Sequence, residues 1–173
     1  MRSNIVIVYT VFFCSSFLVF FYLGDAFGVG INLTASAPEG IYYYFPKKGL
    51  AVGAWVDFSL RHISWALSRG YVHKGEQIIK KIMGVPGDIL LSRNHKIFLN
   101  HRGHAHWIYL GTCLEKDSRG RSMHCQQWSQ YTIPKDHYYL GSIRTPFSFD
   151  SRYFGLVHRR NIRHMLRLLY AFK

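Results

Sequence analysis

The hydrophobic pattern opens with one long apolar run and then breaks into short alternating stretches. Ile5 to Leu23 carries no charge and no proline; its polar members are Tyr9, Thr10, Ser15, Ser16 and Tyr22. These 19 residues, at about 1.5 Å each, would span roughly 29 Å as a helix, the thickness of a bilayer's hydrocarbon core. A transmembrane helix is therefore expected. A cleavable signal peptide fits less well, because such cores run about 7–15 residues. The nearest A-x-A-like sequence, Ala35-Ser36-Ala37, is also distant from the run.

Downstream the pattern turns to β structure. Gly24 to Asn32 reads as a small-residue linker, and Ile41 to Phe45 as an aromatic strand. Trp55 to Phe58 reads as a strand. Leu60 to Ser68 fits a short helix stopped by Gly70. Glu76 to Met83 predicts a buried strand, broken by the turn Val85-Pro86-Gly87-Asp88. In that turn Gly87 is expected at positive φ and Asp88 as a capping group. Ile89 to Leu91 and Lys96 to Leu99 predict strands around the polar turn Ser92 to His95. Glu115 to Gln130 is polar and reads as a surface excursion. Tyr138 to Leu140 predicts a strand. Ile162 to Phe172 is basic and amphipathic, with strand and short helix both open. No repeat or low-complexity tract interrupts the chain. The expectation is an anchor over residues 1–23 and one mainly β, antiparallel domain over 24–173, large enough for a real core.

Charge orients this arrangement. Arg2 precedes the apolar run, whereas no Lys or Arg follows it until Lys47, and Asp25 and Glu39 fall between. The positive-inside rule then puts the N-terminus in the cytoplasm and the domain on the periplasmic side of a bacterial inner membrane. A net charge of +13 would point to nucleic acid in a soluble protein. In a tethered domain, attraction to anionic headgroups is the preferred reading, at roughly 1 kcal/mol per well-placed cation. The lipid bilayer is thus an expected partner and nucleic acid is not. Of the three cysteines, Cys14 lies in the apolar run as a small hydrophobe. Cys113 and Cys125 can close a short loop as a disulfide in an oxidising compartment, with two free thiols as the alternative. His101, His104 and His106 lack carboxylate or cysteine neighbours at ligand spacing and read as surface histidines, so no metal is expected.

Three islands carry candidate chemistry: T-A-S-A-P-E-G around Ser36, I-I-K-K-I-M-G-V-P-G-D around Lys80, and S-F-D-S-R-Y-F-G around Asp150. A serine hydroxyl needs a base. A lysine can serve if burial brings its pKa of about 10.4 toward 7–8. Ile78, Ile79, Ile82 and Met83 give Lys80 an apolar setting. In an extended segment Lys80 and Lys81 face opposite sides, so only one enters a site. Pro38 and Gly40 fix an irregular backbone beside Ser36, whose hydroxyl lies at most about 45 Å along the chain from the anchor. On a strand, Ser148, Asp150 and Arg152 would share one face.

In order and content these islands resemble the bacterial type I signal peptidase family, membrane-anchored serine proteases with a Ser-Lys dyad. The Ser-x-Pro-x-Gly form is most similar to the conjugative-transfer (TraF-type) branch. The resemblance implies a signal-peptidase-like antiparallel β domain with one N-terminal transmembrane helix. It implies Ser36 as nucleophile and Lys80 as general base. Thr34 and the Ser36 amide would form the oxyanion hole. Ser148 would hydrogen-bond and orient the lysine amine, and the Asp150–Arg152 pair would stiffen the site. Gly141-Ser142-Ile143 stands where relatives carry Gly-Asp-Asn, so one acidic support is missing. The implied substrate is a membrane-bound, pilin-like precursor with small residues before the cut, released by water or by its own amine. No cofactor is needed. A housekeeping signal peptidase would share the dyad. So would a self-cleaving repressor-type protein, but that would be soluble, which the apolar run contradicts. A non-catalytic membrane-anchored basic binding module is the alternative of another class.

Overall fold

A computed structural model of the chain describes residues 6–7, 9–13, 15–16, 28–60, 63–142 and 144–172. The strands are β1 (Val29–Asn32), β2 (Gly40–Pro46), β3 (Trp55–Phe58), β4 (Ile78–Gly84), β5 (Ile89–Arg93), β6 (Lys96–Asn100), β7 (Ile108–Thr112), β8 (Tyr131–Thr132), β9 (His137–Gly141), β10 (Val157–His158) and β11 (Ile162–Ala171). Two short helices accompany them, α1 (Ser64–Ser68) and α2 (Ser151–Phe154). They form a seven-stranded sheet, ordered β1-β2-β11-β3-β4-β9-β10, and a four-stranded sheet, ordered β7-β6-β5-β8. Every strand pair is antiparallel.

The strands predicted around Ile41, Trp55, Ile78, Ile89, Lys96 and Tyr138 all form. So does the Val85–Asp88 turn: Gly87 has φ 93°, and the Asp88 carboxylate accepts the Val85 N–H at 2.9 Å. The basic segment after Ile162 is a strand, wedged between β2 and β3. Three readings change. The helix expected over Leu60 to Ser68 is only the single turn of α1. The latter part of the expected linker, Val29 to Asn32, pairs with β2 as an edge strand. The face expected for Ser148, Asp150 and Arg152 is not a strand at all. Asp150 is extended and N-caps α2, its carboxylate accepting the Arg152 N–H, so the chain turns helical just where alternation was assumed.

One cluster joins Val56, Phe58, Ile82, Leu140, Phe154 and Ile162 of the large sheet. A second joins Leu90, Ile97, Leu99, Trp128, Ile133 and Tyr139 and seats the small sheet. A third, Ala37, Tyr42, Ile79 and Leu166, anchors the segment after β1. Packing thus pins the segment from residue 33 to 39 at Ala37, while Leu33 to Ala35 and Glu39 stay exposed.

The run from Ile5 to Leu23 lies in large part outside the described residues. Those described are helical and exposed, with Val6, Ile7, Phe12 and Phe13 all more than half uncovered. Thr10 and Ser15 turn their hydroxyls back onto the carbonyls of Val6 and Phe12, each at 2.9 Å. Among the described residues no helix is long and apolar enough to cross a membrane.

Candidate active site

The serine island is a tight turn between two strands of the large sheet. Asn32, the last residue of β1, is buried, 5% exposed. Its side-chain N–H₂ donates to three carbonyls: Thr34 at 3.0 Å, Ala37 at 3.3 Å and Pro38 at 3.0 Å. Its Oδ1 accepts the Thr34 N–H at 3.2 Å and the Thr34 hydroxyl at 2.7 Å. Thr34 Oγ1 lies 3.5 Å from Ser36 Oγ. Behind this turn the Tyr42 hydroxyl donates to the Pro38 carbonyl at 2.8 Å. Gly40 opens β2 against β11. A Cβ there would fall 2.1 Å from the Tyr170 carbonyl oxygen, so the close approach excludes any side chain. The Phe172 N–H donates to the Glu39 carbonyl at 2.9 Å and closes this contact.

The lysine island is β4, central in the sheet and paired with β3 and β9. Alternation separates its two lysines. Lys80 is 4% exposed, whereas Lys81 is half-buried with its amine 5.6 Å above the Trp55 ring. Burial pushes the Lys80 pKa down to about 8. The Asp150 carboxylate opposes that shift, and the Arg152 guanidinium reinforces it. No hydrogen bond or ion pair among the described residues reaches the Lys80 amine. The expected bond from Ser148 is not formed: Ser148 Oγ is buried without a hydrogen-bond partner.

Ser36, Thr34, Asn32 and Lys80 line one groove of about 490 Å³. Its other walls include Ile31, Ile79, Tyr71 and Phe149, and Glu76 is its acidic member. Such a cleft, mostly apolar with a few convergent polar groups, suits a peptide segment.

Of the third island, Phe149 lines the groove, whereas Ser148, Asp150 and Arg152 are not part of its lining. Arg152 and Asp150 are each 2% exposed as side chains. Arg152 Nε and Nη2 donate to the two Asp150 oxygens at 2.8 and 2.9 Å. The remaining fork donors reach the Thr112 carbonyl at 2.7 Å and the Ser148 carbonyl at 3.0 Å. Gly111 makes room for this fork, since a Cβ there would sit 2.9 Å from Arg152 Nη1. Ser142 is buried but lies on another concavity, with Thr145 and Arg152.

A model of the family described as signal peptidase, peptidase S26, matches residues 1–170. The chain belongs to this family. Two curated relatives from Escherichia coli are both plasmid transfer proteins TraF. One is 27% identical over 153 residues, 83% of each chain; the other is 28% identical over 151 residues, 81% of each. A solved signal peptidase I from Enterococcus faecalis V583 aligns with 71% of this chain and all of its own, at 18% identity and a TM-score of 0.41. Family membership makes the groove the place to look for peptide-bond chemistry.

The disulfide-capable pair is joined: Cys113 and Cys125 form a disulfide with Cα atoms 5.7 Å apart. The loop it closes docks on the groove wall. Asp117 accepts from the Tyr71 hydroxyl at 2.5 Å and from Arg121 Nε at 2.7 Å. Tyr71 in turn stacks on Phe149, with ring centroids 5.0 Å apart. This aromatic wall was not foreseen, because residues 71, 117 and 149 are far apart in the chain. Asn32 was also missed, although an Asn two residues before a Thr-x-Ser turn is a local signal for a side chain bonding its own backbone.

Proposed function

We propose that the chain is a membrane-anchored serine endopeptidase in which Lys80 activates Ser36. One observation carries this reading: a lysine buried without a partner shares a groove with a serine held on a rigid turn. Neutral Lys80 takes the Ser36 proton, and Ser36 attacks the carbonyl of a bound peptide. The Ser36 amide and the Thr34 hydroxyl receive the oxyanion, each such donor being worth roughly 3–4 kcal/mol. The leaving amine takes the proton from Lys80, and water, or an amine of the substrate itself, releases the acyl group. The Asp150–Arg152 pair stiffens the structure beside Lys80.

The substrate is a membrane-bound, pilin-like precursor with small residues before the cut, and the setting is conjugative transfer. The similarity to two plasmid transfer proteins supports that setting. The apolar run from Ile5 to Leu23 anchors the chain, with the domain on the periplasmic side of the inner membrane. The self-bonded hydroxyls of Thr10 and Ser15 suit lipid, where each polar group must be satisfied within the helix. The Cys113–Cys125 disulfide suits an oxidising compartment.

The test is co-expression with the pilin-like precursor from the same genetic element, followed by mass spectrometry of the product. Wild type is expected to shorten the precursor; a product lighter by one further water marks joined ends. Ser36→Ala and Lys80→Ala are expected to leave it intact. Unchanged processing with either variant rejects the dyad.

A further inference from the structure

The Asn32 side chain makes five hydrogen bonds, all within the nucleophile turn. Its amide orientation follows from its surroundings. Three carbonyls face Nδ2, so Oδ1 must face Thr34. An amide oxygen only accepts, so the Thr34 hydroxyl donates its proton to Asn32. The Thr34 oxygen is left to accept from Ser36, 3.5 Å away. At rest, then, the expected oxyanion donor has its proton committed to Asn32. To serve the oxyanion it must rotate off Asn32.

We propose that Asn32 is the positioning residue of the nucleophile turn, setting both the path from Thr34 to Pro38 and the proton of the Thr34 hydroxyl. This inference rests on the Ser36–Lys80 reading above. Burial matters to it, because a bond shielded from water holds its geometry against competition. Asn32 acts through Thr34 and Ser36 and need not touch substrate. Its loss should therefore lower turnover while leaving substrate binding nearly unchanged.

The experiment uses the full chain in detergent micelles and an internally quenched peptide with alanines before one cleavable bond. Asn32→Ala is expected to lower kcat about 100-fold with KM within about threefold. Thr34→Val should also lower kcat. The double variant should fall less below Asn32→Ala than Thr34→Val falls below wild type, because part of the Thr34 loss is the bond that both changes sever. A double variant whose loss equals the product of the two single losses overturns the proposal, as does Asn32→Ala with kcat within threefold of wild type. Asn32→Asp serves if the alanine variant loses its thermal transition. It keeps an acceptor for Thr34 but removes the two N–H donors that serve the three carbonyls, and at least a tenfold loss of kcat is expected. Should both variants lose that transition, Asn32 serves stability alone and the proposal is overturned. Ser36→Ala runs in parallel. Cleavage by that variant sinks the dyad reading itself, whereas an inert Ser36→Ala beside fully active Asn32 variants sinks only this inference.

Discussion

Two basic side chains are buried within electrostatic reach of each other, and they are held in opposite ways. Arg152 spends its fork on both oxygens of Asp150 and on two backbone carbonyls. Lys80 is as deeply buried but has no bonding partner among the described residues. An arginine cannot give up its proton inside a protein, so its burial must be compensated by partners. A lysine can, and burial without partners is what lowers its pKa. The carboxylate is the same for both. Because Arg152 already occupies Asp150, that charge offsets only part of the desolvation felt by Lys80. The two cations thus differ in partner supply, not in depth.

The largest effect should come from making Lys80 like its surroundings. Lys80→Met is expected to lower precursor processing on the order of 10⁴-fold; a loss under tenfold would break the comparison. Next in size is the removal of Arg152's partner. Asp150→Ala leaves a buried guanidinium uncompensated and should destabilise the domain by about 3–5 kcal/mol in urea unfolding. A change under 1 kcal/mol would mean the pair is not what holds Arg152.

The same Lys80→Met variant should unfold later than wild type at neutral pH. The folded-state pKa of about 8 lies below the ordinary 10.5, so below pH 8 the folded chain pays for a charged amine in an apolar site. That penalty, up to about 3 kcal/mol, fades as pH rises from 8 to 10.5, where only the unfolded chain still holds the proton. The two proteins should therefore converge at high pH, as thermal melts across that range will show. The smallest effect is on rate against pH. Processing should rise about tenfold per unit up to pH 8 and then level, if one neutral amine is the base. A flat profile from pH 6 to 9 would remove Lys80 from that role.

Much of this contrast could be read from the chain. The apolar residues about Lys80, and the opposite facing of Lys81, follow from alternation alone. The hairpin of β5 and β6 was legible because its turn chemistry is local. The short edge strands β1, β7, β8 and β10 were not, since each is made a strand by the neighbour it pairs with. The Ser148–Arg152 face was misread for a different reason. Alternation ignores the Asp150 side chain, which captures the Arg152 N–H and starts a helical turn. Arg152's reach to the Thr112 carbonyl, 40 residues earlier, has no local signature. Neither has Tyr71's bond to Asp117 across 46 residues. Asn32 had a local signal, yet its five bonds become visible only when the turn is closed around it.

The close passage of Gly40 beneath the Tyr170 carbonyl carries a consequence for how the enzyme comes into being. The strand that backs the Ser36 turn is made more than a hundred residues after it, so this turn is among the first parts of the domain to be synthesised and among the last to be framed. A nascent chain bears the serine without its brace. The turn that carries Ser36 therefore takes its final frame only when the last strand of the domain has been made.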